Sequence, residues 1–186
     1  MRTLFSCILV VGLIGLLTTT AGAQGQSAPF SYGGVFTCRP CHQSPKSGAQ
    51  FKIWSASPHA KAYETLKTPV AQEAAKKLGI ADPLTSDKCL KCHVTAHGVD
   101  AKLKGPKLTL EEGVSCEACH GPGSAYKGQK LMKDIYDGKV DGTKYGLIEP
   151  TEKICVTCHN SESPTFKGFN YKEMVTKIAH PVPKAQ

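Results

Sequence analysis

The stretch Cys116-Glu117-Ala118-Cys119-His120 places two cysteines three positions apart and a histidine directly after the second. The same five-residue pattern recurs at residues 38–42, 89–93 and 155–159. The chain has nine cysteines, and all of them except Cys7 belong to these four repeats. This pattern therefore dominates the chemistry of the chain and decides how it can fold.

Cys-x-x-Cys-His is the pattern through which a c-type haem is attached to a protein. The two thiols form thioethers with the haem, and the histidine binds the haem iron from one side. Four repeats therefore predict four covalently bound haems c, each with its iron. The cysteines predicted to hold them are Cys38, Cys41, Cys89, Cys92, Cys116, Cys119, Cys155 and Cys158. The predicted proximal iron ligands are His42, His93, His120 and His159.

Paired cysteines also occur in disulfide frameworks, structural zinc sites and redox dithiols. None of these uses requires a histidine directly after every pair, and the chain has only seven histidines. We therefore expect haem rather than zinc or disulfides. No separate constellation of catalytic residues is evident.

The histidines outside the repeats are His59, His97 and His180. They are the candidate distal ligands, because an electron-transfer haem needs two strong ligands if its coordination is to stay the same in both oxidation states. Three distal histidines cannot serve four haems, so one haem lacks a distal histidine. Met132 or a lysine is the alternative ligand for that haem.

The chain begins with features of a secretory signal peptide. Arg2 precedes an apolar run over residues 4–17, and Ala21-Gly22-Ala23 has the small residues of a cleavage site. The apolar run is too short for a transmembrane helix, although an uncleaved anchor is the alternative. Cleavage after Ala23 would leave residues 24–186 as one tetrahaem domain, periplasmic or extracellular and without a stable membrane anchor.

The full chain has a formal net charge of +8, and loss of Arg2 leaves +7. A basic secreted protein often binds nucleic acid, anionic lipid or an acidic protein. Here the haem propionates would offset most of the positive charge, so we expect no nucleic-acid binding. The expected partners are redox proteins that donate and accept electrons, and self-association is left open.

Local signals predict a mainly α fold, in which short helices and long loops wrap around four packed haems with little or no sheet. Helix starts are predicted at Ser57-Pro58, Thr68-Pro69 and Asn170, and a capping box at residues 109–112. Phe169 is predicted to staple the last helix. No stretch shows the alternation of a half-buried strand.

The chain also resembles a known family. The residues that carry this resemblance are Ala28-Pro29-Phe30, Trp54, 58–62, 89–94, 113–123, 155–160, Ser163-Pro164 and 173–175. They are similar, in the same order, to the tetrahaem cytochrome c family that includes the electron acceptor of hydroxylamine oxidoreductase in ammonia-oxidising bacteria. The resemblance implies a helical fold around closely packed haems, three of them bis-histidine and one five-coordinate.

The resemblance also implies which histidines share an iron. His59 would be the distal ligand of the haem on His120, and His180 that of the haem on His159. The family's remaining distal histidine has no counterpart after residues 121–123. His97 lies four residues after His93 and cannot reach the far side of that haem, so we expect it to serve the haem on His42. The five-coordinate haem would then be the one on His93.

Electron transfer through the haems is the predicted function, and a catalytic role is the less favoured reading. A five-coordinate haem would allow a second possible function, which is the reduction or oxidation of small nitrogen compounds. A third is a structural role as the subunit of a cytochrome filament. Turnover with such compounds would separate the first two functions, and electron microscopy would reveal the third.

Overall fold

Glycine and proline interrupt the chain so often that no α-helix exceeds nine residues in the computed structural model, which describes residues 30–182. The nine α-helices in that range are α1 (Arg39–His42), α2 (Gln50–Ala56), α3 (Ala62–Thr65), α4 (Pro69–Lys77), α5 (Asp87–His93), α6 (Cys116–His120), α7 (Gln129–Tyr136), α8 (Glu152–Cys155) and α9 (Tyr171–Ile178). Short 3-10 turns lie at Val35–Thr37, Pro45–Ser47, His59–Lys61, Ala101–Leu103, Leu110–Glu112 and Gly142–Tyr145.

Strand pairing in residues 30–182 is limited to one isolated bridge between Tyr32 and Lys104. The prediction of a mainly α fold with little or no sheet is therefore confirmed. The predicted signal peptide lies outside the described residues.

Two of the predicted helix starts are confirmed by the caps that the structure shows. The Thr68 hydroxyl accepts a hydrogen bond from the Ala71 N–H (3.3 Å), and the Asn170 side chain accepts one from the Glu173 N–H (3.3 Å). Each bond satisfies a backbone donor that the first helical turn leaves unpaired. The start predicted at Ser57-Pro58 is wrong in its cap, because the Ser57 hydroxyl makes no hydrogen bond within residues 30–182 and a 3-10 turn, His59–Lys61, precedes α3.

The capping box predicted at residues 109–112 is wrong. Thr109 makes no side-chain cap, and Leu110–Glu112 is a 3-10 turn. The Glu112 carboxylate is buried and accepts hydrogen bonds from the Val35 N–H (2.7 Å) and the Ser115 hydroxyl (3.1 Å). Burial raises the pKa of Glu112, and these two hydrogen bonds oppose the rise. The hydrogen bond from Val35, which is far away in the sequence, thus replaces the capping bond that the spacing of Thr109 and Glu112 predicted.

A second buried carboxylate, Glu117, ties the beginning of the described chain to α6. It accepts hydrogen bonds from the N–H groups of Gly33 (2.9 Å), Gly34 (2.8 Å) and Gly123 (2.6 Å). Gly34 has φ +81°, and a side chain there would lie 2.5 Å from the Lys107 carbonyl oxygen. A glycine is therefore needed where this segment crosses the chain near residue 107.

The apolar side chains that are buried among the described residues are few: Val35, Leu66, Ala75, Leu90, Val94 and Tyr126. Leu66, Leu90 and Val94 form one cluster that also contacts Cys89 of the second repeat. This part of the side-chain core thus lies against the second repeat and positions it.

The Tyr126 hydroxyl offers a test of the packing behind α6. It donates a bifurcated hydrogen bond to the carbonyl oxygens of His120 (3.1 Å) and Gly121 (2.9 Å). Burial raises the pKa of Tyr126, so the hydroxyl keeps its proton at neutral pH. We expect Tyr126→Phe to lower the free energy of unfolding of the haem-loaded protein by about 1–2 kcal/mol in urea titrations.

Tyr171→Phe is the matched control, because the Tyr171 hydroxyl makes no hydrogen bond within the described part of the chain. Equal midpoints for the two variants would contradict the role given to Tyr126.

Candidate haem-binding site

Each repeat is built on one short turn of helix. The repeat histidines His42, His93 and His120 are the last residues of α1, α5 and α6, whereas α8 ends at Cys155 and His159 follows in the next turn. Residues three and four positions apart lie on the same side of a helix. The two cysteines and the histidine of each helical repeat therefore face one side, as attachment to a single planar haem requires.

The four repeats are neighbours in a defined order. The thiols in this chain stand for the thioether sulfurs of the haem-loaded protein. Cys38 interacts with Cys116, and Cys92 interacts with Cys158. Cys119 is close enough to Cys155 for an electrostatic interaction. The repeats thus follow one another in space as first, third, fourth and second.

Two of the histidines outside the repeats face a repeat histidine. The ring centres of His59 and His159 lie 5.9 Å apart with an interplanar angle of 78°. Those of His120 and His180 lie 5.8 Å apart at 40°. Two imidazoles that share one metal through bonds of about 2 Å have their ring centres about 6 Å apart. Both pairs have the spacing that one iron atom between them needs.

Hydrogen bonds orient two other repeat histidines. His93 Nδ1 lies 2.6 Å from the Ala62 carbonyl oxygen. A carbonyl can only accept, so the hydrogen is on Nδ1 and the lone pair of Nε2 is free for a metal. His42 Nδ1 lies 3.3 Å from Gln50 Oε1. The Gln50 amide group donates to the carbonyls of Ser47 and Pro181, which turns its oxygen toward His42.

Burial lowers the pKa of His59, His120 and His180. Their imidazoles are therefore neutral near pH 7, which is the form that binds iron. His180 Nδ1 is buried and has no hydrogen-bond partner among residues 30–182. A buried polar atom without a partner is costly, and an iron atom or a haem propionate would satisfy this one. These residues fit a haem.

The comparisons with known proteins agree with this site. Residues 37–121 match the family model described as "Cytochrome c554 and c-prime". The chain is 36% identical to cytochrome c-554 of Nitrosomonas europaea, over 90% of this chain and 73% of that protein. The chain belongs to the cytochrome c554 family. It binds haem c covalently, transfers electrons and exchanges them with redox partner proteins. Comparison with solved structures gives no significant match.

The histidine pairs differ from those that the family resemblance implied. The resemblance assigned His59 to the haem on His120 and His180 to the haem on His159, whereas the ring contacts join His59 to His159 and His180 to His120. The reason is the packing of the ends of the chain. Pro181 accepts a hydrogen bond from Gln50 beside His42, and this holds His180 on the side of the first and third repeats.

The structure does not bring His97 to His42. His97 Nε2 lies 3.0 Å from Asp87 Oδ1, at the start of α5, and His97 has no ring contact with another described histidine. Its assignment to the haem on His42 stays a prediction. Within residues 30–182 no three His, Cys, Asp or Glu side chains cluster as a bare metal ion would need. Four of the histidines are instead arranged as two pairs, a spacing that suits haem iron.

Two residues near the site were missed by the sequence analysis. The ring of Phe169 stacks on His159 at 4.7 Å and 15° and so holds the plane of that imidazole, while its role as a helix staple stays a prediction. Glu117 carries the buried carboxylate described above. One signal was available, since Glu117 is the only acidic residue at the variable positions of the four repeats.

Proposed function

We propose that the chain binds four haems c at its four repeats and carries electrons through them between redox partner proteins. The observation that carries this proposal is the pairing of histidine rings about 6 Å apart, in which each pair contains one repeat histidine. We further propose that residues 24–186 form one domain that is exported by the signal peptide to the periplasm or the cell surface.

The residues of the chain have distinct roles in this proposal. The repeat cysteines hold the haems, and the repeat histidines bind the irons from one side. His59 completes the iron site of His159, and His180 completes that of His120. Bound haem supplies an iron that changes reversibly between the ferric and ferrous states. Phe169 fixes the plane of His159, and the Ala62 carbonyl fixes the tautomer of His93.

Closed coordination at the two paired sites favours electron carriage over catalysis. His59 with His159, and His180 with His120, would hold a haem iron from both sides and would leave it no free position for a substrate. The second candidate function, chemistry on small nitrogen compounds, rests on His93, which has no ring contact with another histidine among the described residues. Steady-state turnover with hydroxylamine or nitrite tests it. Self-association, including assembly into a filament, stays a prediction.

No helix within residues 30–182 is long and apolar enough to cross a membrane. Export is supported by the sequence of the first 23 residues. The mature protein is expected to begin at Gln24, and a mature protein that retains Arg2 would instead point to a membrane anchor.

The number of haems has a direct test. Intact mass spectrometry of the mature protein should show four covalently bound haems. A Cys155→Ser/Cys158→Ser variant should show three, because the fourth repeat then has no thiols. Val156→Ala/Thr157→Ala changes the same repeat but keeps its cysteines and histidine, and should retain four. Fewer than four haems on the fully matured wild-type protein, or stoichiometric zinc, would contradict the proposal.

A further inference from the structure

The net positive charge of the chain is confined to two segments. Residues 24–63 and 101–110 contain seven Lys and Arg residues and no Asp or Glu. The rest of the chain after residue 23 contains fifteen Lys residues and fifteen Asp and Glu residues, so it is formally neutral. The whole +7 charge therefore comes from these two segments. We call their seven cations the cationic face: Arg39, Lys46, Lys52, Lys61, Lys102, Lys104 and Lys107.

The two segments are far apart in sequence but adjacent in the structure. The Tyr32 N–H donates to the Leu103 carbonyl (2.8 Å), and the Gly105 N–H donates to the Tyr32 carbonyl (2.7 Å). Gly34 packs against the backbone of Lys107. The face thus continues from residues 102–107 across the N-terminal segment to the first haem repeat.

Within the first repeat, the Arg39 guanidinium lies over the rings of Phe51 (5.2 Å) and Phe36 (6.0 Å). These contacts join α1 to α2, which carries Lys52. Cys41 of the same repeat is exposed, so the first repeat lies at the surface within the cationic face.

The cations of the face are exposed and lack acidic partners. None of the seven forms an ion pair with a described residue. Other described lysines, such as Lys88 and Lys153, are also unpaired, but acidic residues adjoin them in the sequence. Glu112 and Glu117 lie beneath the N-terminal segment, but both are buried and turned toward backbone N–H groups. No acidic side chain of the two segments therefore offsets the positive charge that the face presents to an approaching molecule.

We propose that the cationic face is the docking surface for a redox protein with an acidic surface, which exchanges electrons with the haem on the first repeat. This inference deepens the proposed electron-carrier function and rests on it. One electron passes between the partner's cofactor and the iron held by His42. When the partner is the donor, its cofactor loses one electron, the iron goes from ferric to ferrous, and no covalent bond changes.

A protein partner fits this surface better than an anionic membrane does. A membrane needs only positive charge and apolar anchors, whereas this face includes a haem-attachment repeat, with Arg39 inside the repeat and Cys41 at the surface. The neutral remainder of the chain also gives the molecule a strong charge asymmetry. Such asymmetry steers an oppositely charged protein to one orientation, with the first repeat toward it.

The test uses the haem-loaded protein and the hydroquinone form of a bacterial flavodoxin, an acidic electron-transfer protein, as the probe. The face variant is Lys46→Glu/Lys52→Glu/Lys104→Glu. The control variant is Lys88→Glu/Lys153→Glu/Lys167→Glu, which changes three exposed lysines near or beyond the second and fourth repeats. Both variants change the net charge equally. The second-order rate constant for haem reduction is measured by stopped flow at several ionic strengths.

We expect the face variant to react at least about tenfold more slowly than the wild type at low ionic strength, and to lose most of the salt dependence. The control variant should stay within about threefold of the wild type. A Lys46→Gln/Lys52→Gln/Lys104→Gln variant should give an intermediate rate. Equal slowing of face and control variants, or no slowing of either, would overturn the proposal.

Vesicle binding and chemical reduction distinguish a protein docking surface from a lipid-binding surface and from a chain that carries no electrons. The proposal would be overturned if the wild type binds phosphatidylglycerol vesicles, the face variant does not, and both react equally fast with flavodoxin. The face would then be a lipid-binding surface.

Dithionite should reduce all haems of every variant to the same end point. A wild-type protein whose haems take no electrons from flavodoxin or dithionite would refute the electron-carrier function itself rather than the docking surface.

Discussion

Replacing Glu117 with alanine is expected to lower the free energy of unfolding of the haem-loaded protein by on the order of 4 kcal/mol. The Glu117 side chain is only 2% exposed, and its carboxylate accepts hydrogen bonds from three backbone N–H groups. Truncation leaves Gly33, Gly34 and Gly123 with buried donors and no acceptor. It also detaches the N-terminal segment from the third repeat. Urea denaturation followed by far-ultraviolet circular dichroism measures the loss.

Glu111→Ala is the matched control, because Glu111 lies in the same region but is exposed. It should change the free energy of unfolding by less than about 0.5 kcal/mol. Glu117→Gln should fall between the two, since an amide oxygen can still accept from Gly33 and Gly123 while its NH₂ group would face the Gly34 N–H. The haem content should stay the same in all three variants, because attachment uses the cysteines and the histidine of each repeat and not the residues between them. A Glu117→Ala protein as stable as the wild type would contradict the structure here.

Replacing His59 with alanine is expected to convert one of the haems in the oxidised protein from low spin to high spin. If His59 and His159 share an iron, its removal leaves that iron with a single strong ligand. Electron paramagnetic resonance would detect a new high-spin ferric signal and the loss of one low-spin signal. The haem content should not change.

The ring planes predict which low-spin signal disappears. Planes at 78° let each imidazole interact with a different one of two iron d orbitals, so these orbitals stay close in energy and the signal is strongly anisotropic. Planes at 40° separate the orbitals further and give a more rhombic signal. His59→Ala should therefore remove the strongly anisotropic signal, and His180→Ala the rhombic one.

A double variant distinguishes this pairing from the one that the family resemblance implied. In a protein that lacks the fourth haem through Cys155→Ser/Cys158→Ser, His59→Ala should produce no further high-spin haem. If a further high-spin haem is formed, His59 serves the haem on His120 instead. Ser57→Ala, a change two positions from His59, should leave the spectra of all haems unchanged.

The sequence was sufficient to predict those features of the structure that depend only on residues close together in the chain. Thr68 and Asn170 cap helices because a short polar side chain needs only the next few backbone N–H groups. The cofactor class was equally accessible, since thiols and imidazole within five consecutive residues already form a complete attachment site. The mainly α fold follows as well, because frequent glycine and proline and the lack of alternation leave only short helices.

Local rules failed where a distant part of the chain competed for the same side chain. Glu112 has the spacing of a capping box, but the buried N–H of Val35 takes its carboxylate. Phe169 precedes a helix as a staple residue would, but its stacking on the ring of His159 could not be read from that position. The assignment of His97 to the haem on His42 stays a prediction, and in the structure its ring lies beside Asp87 at the start of α5.

The sequence by itself determined the chemistry of this protein: haem c at Cys-x-x-Cys-His repeats, a helical chain around them and a net positive charge. Only the tertiary structure decided which histidines face each other, where the unpaired cations collect and how Glu117 anchors the N-terminal segment. These features join residues that are tens of positions apart in the chain. Their proximity depends on how short helices pack against the repeats, and neither helix propensity nor motif spacing carries that information.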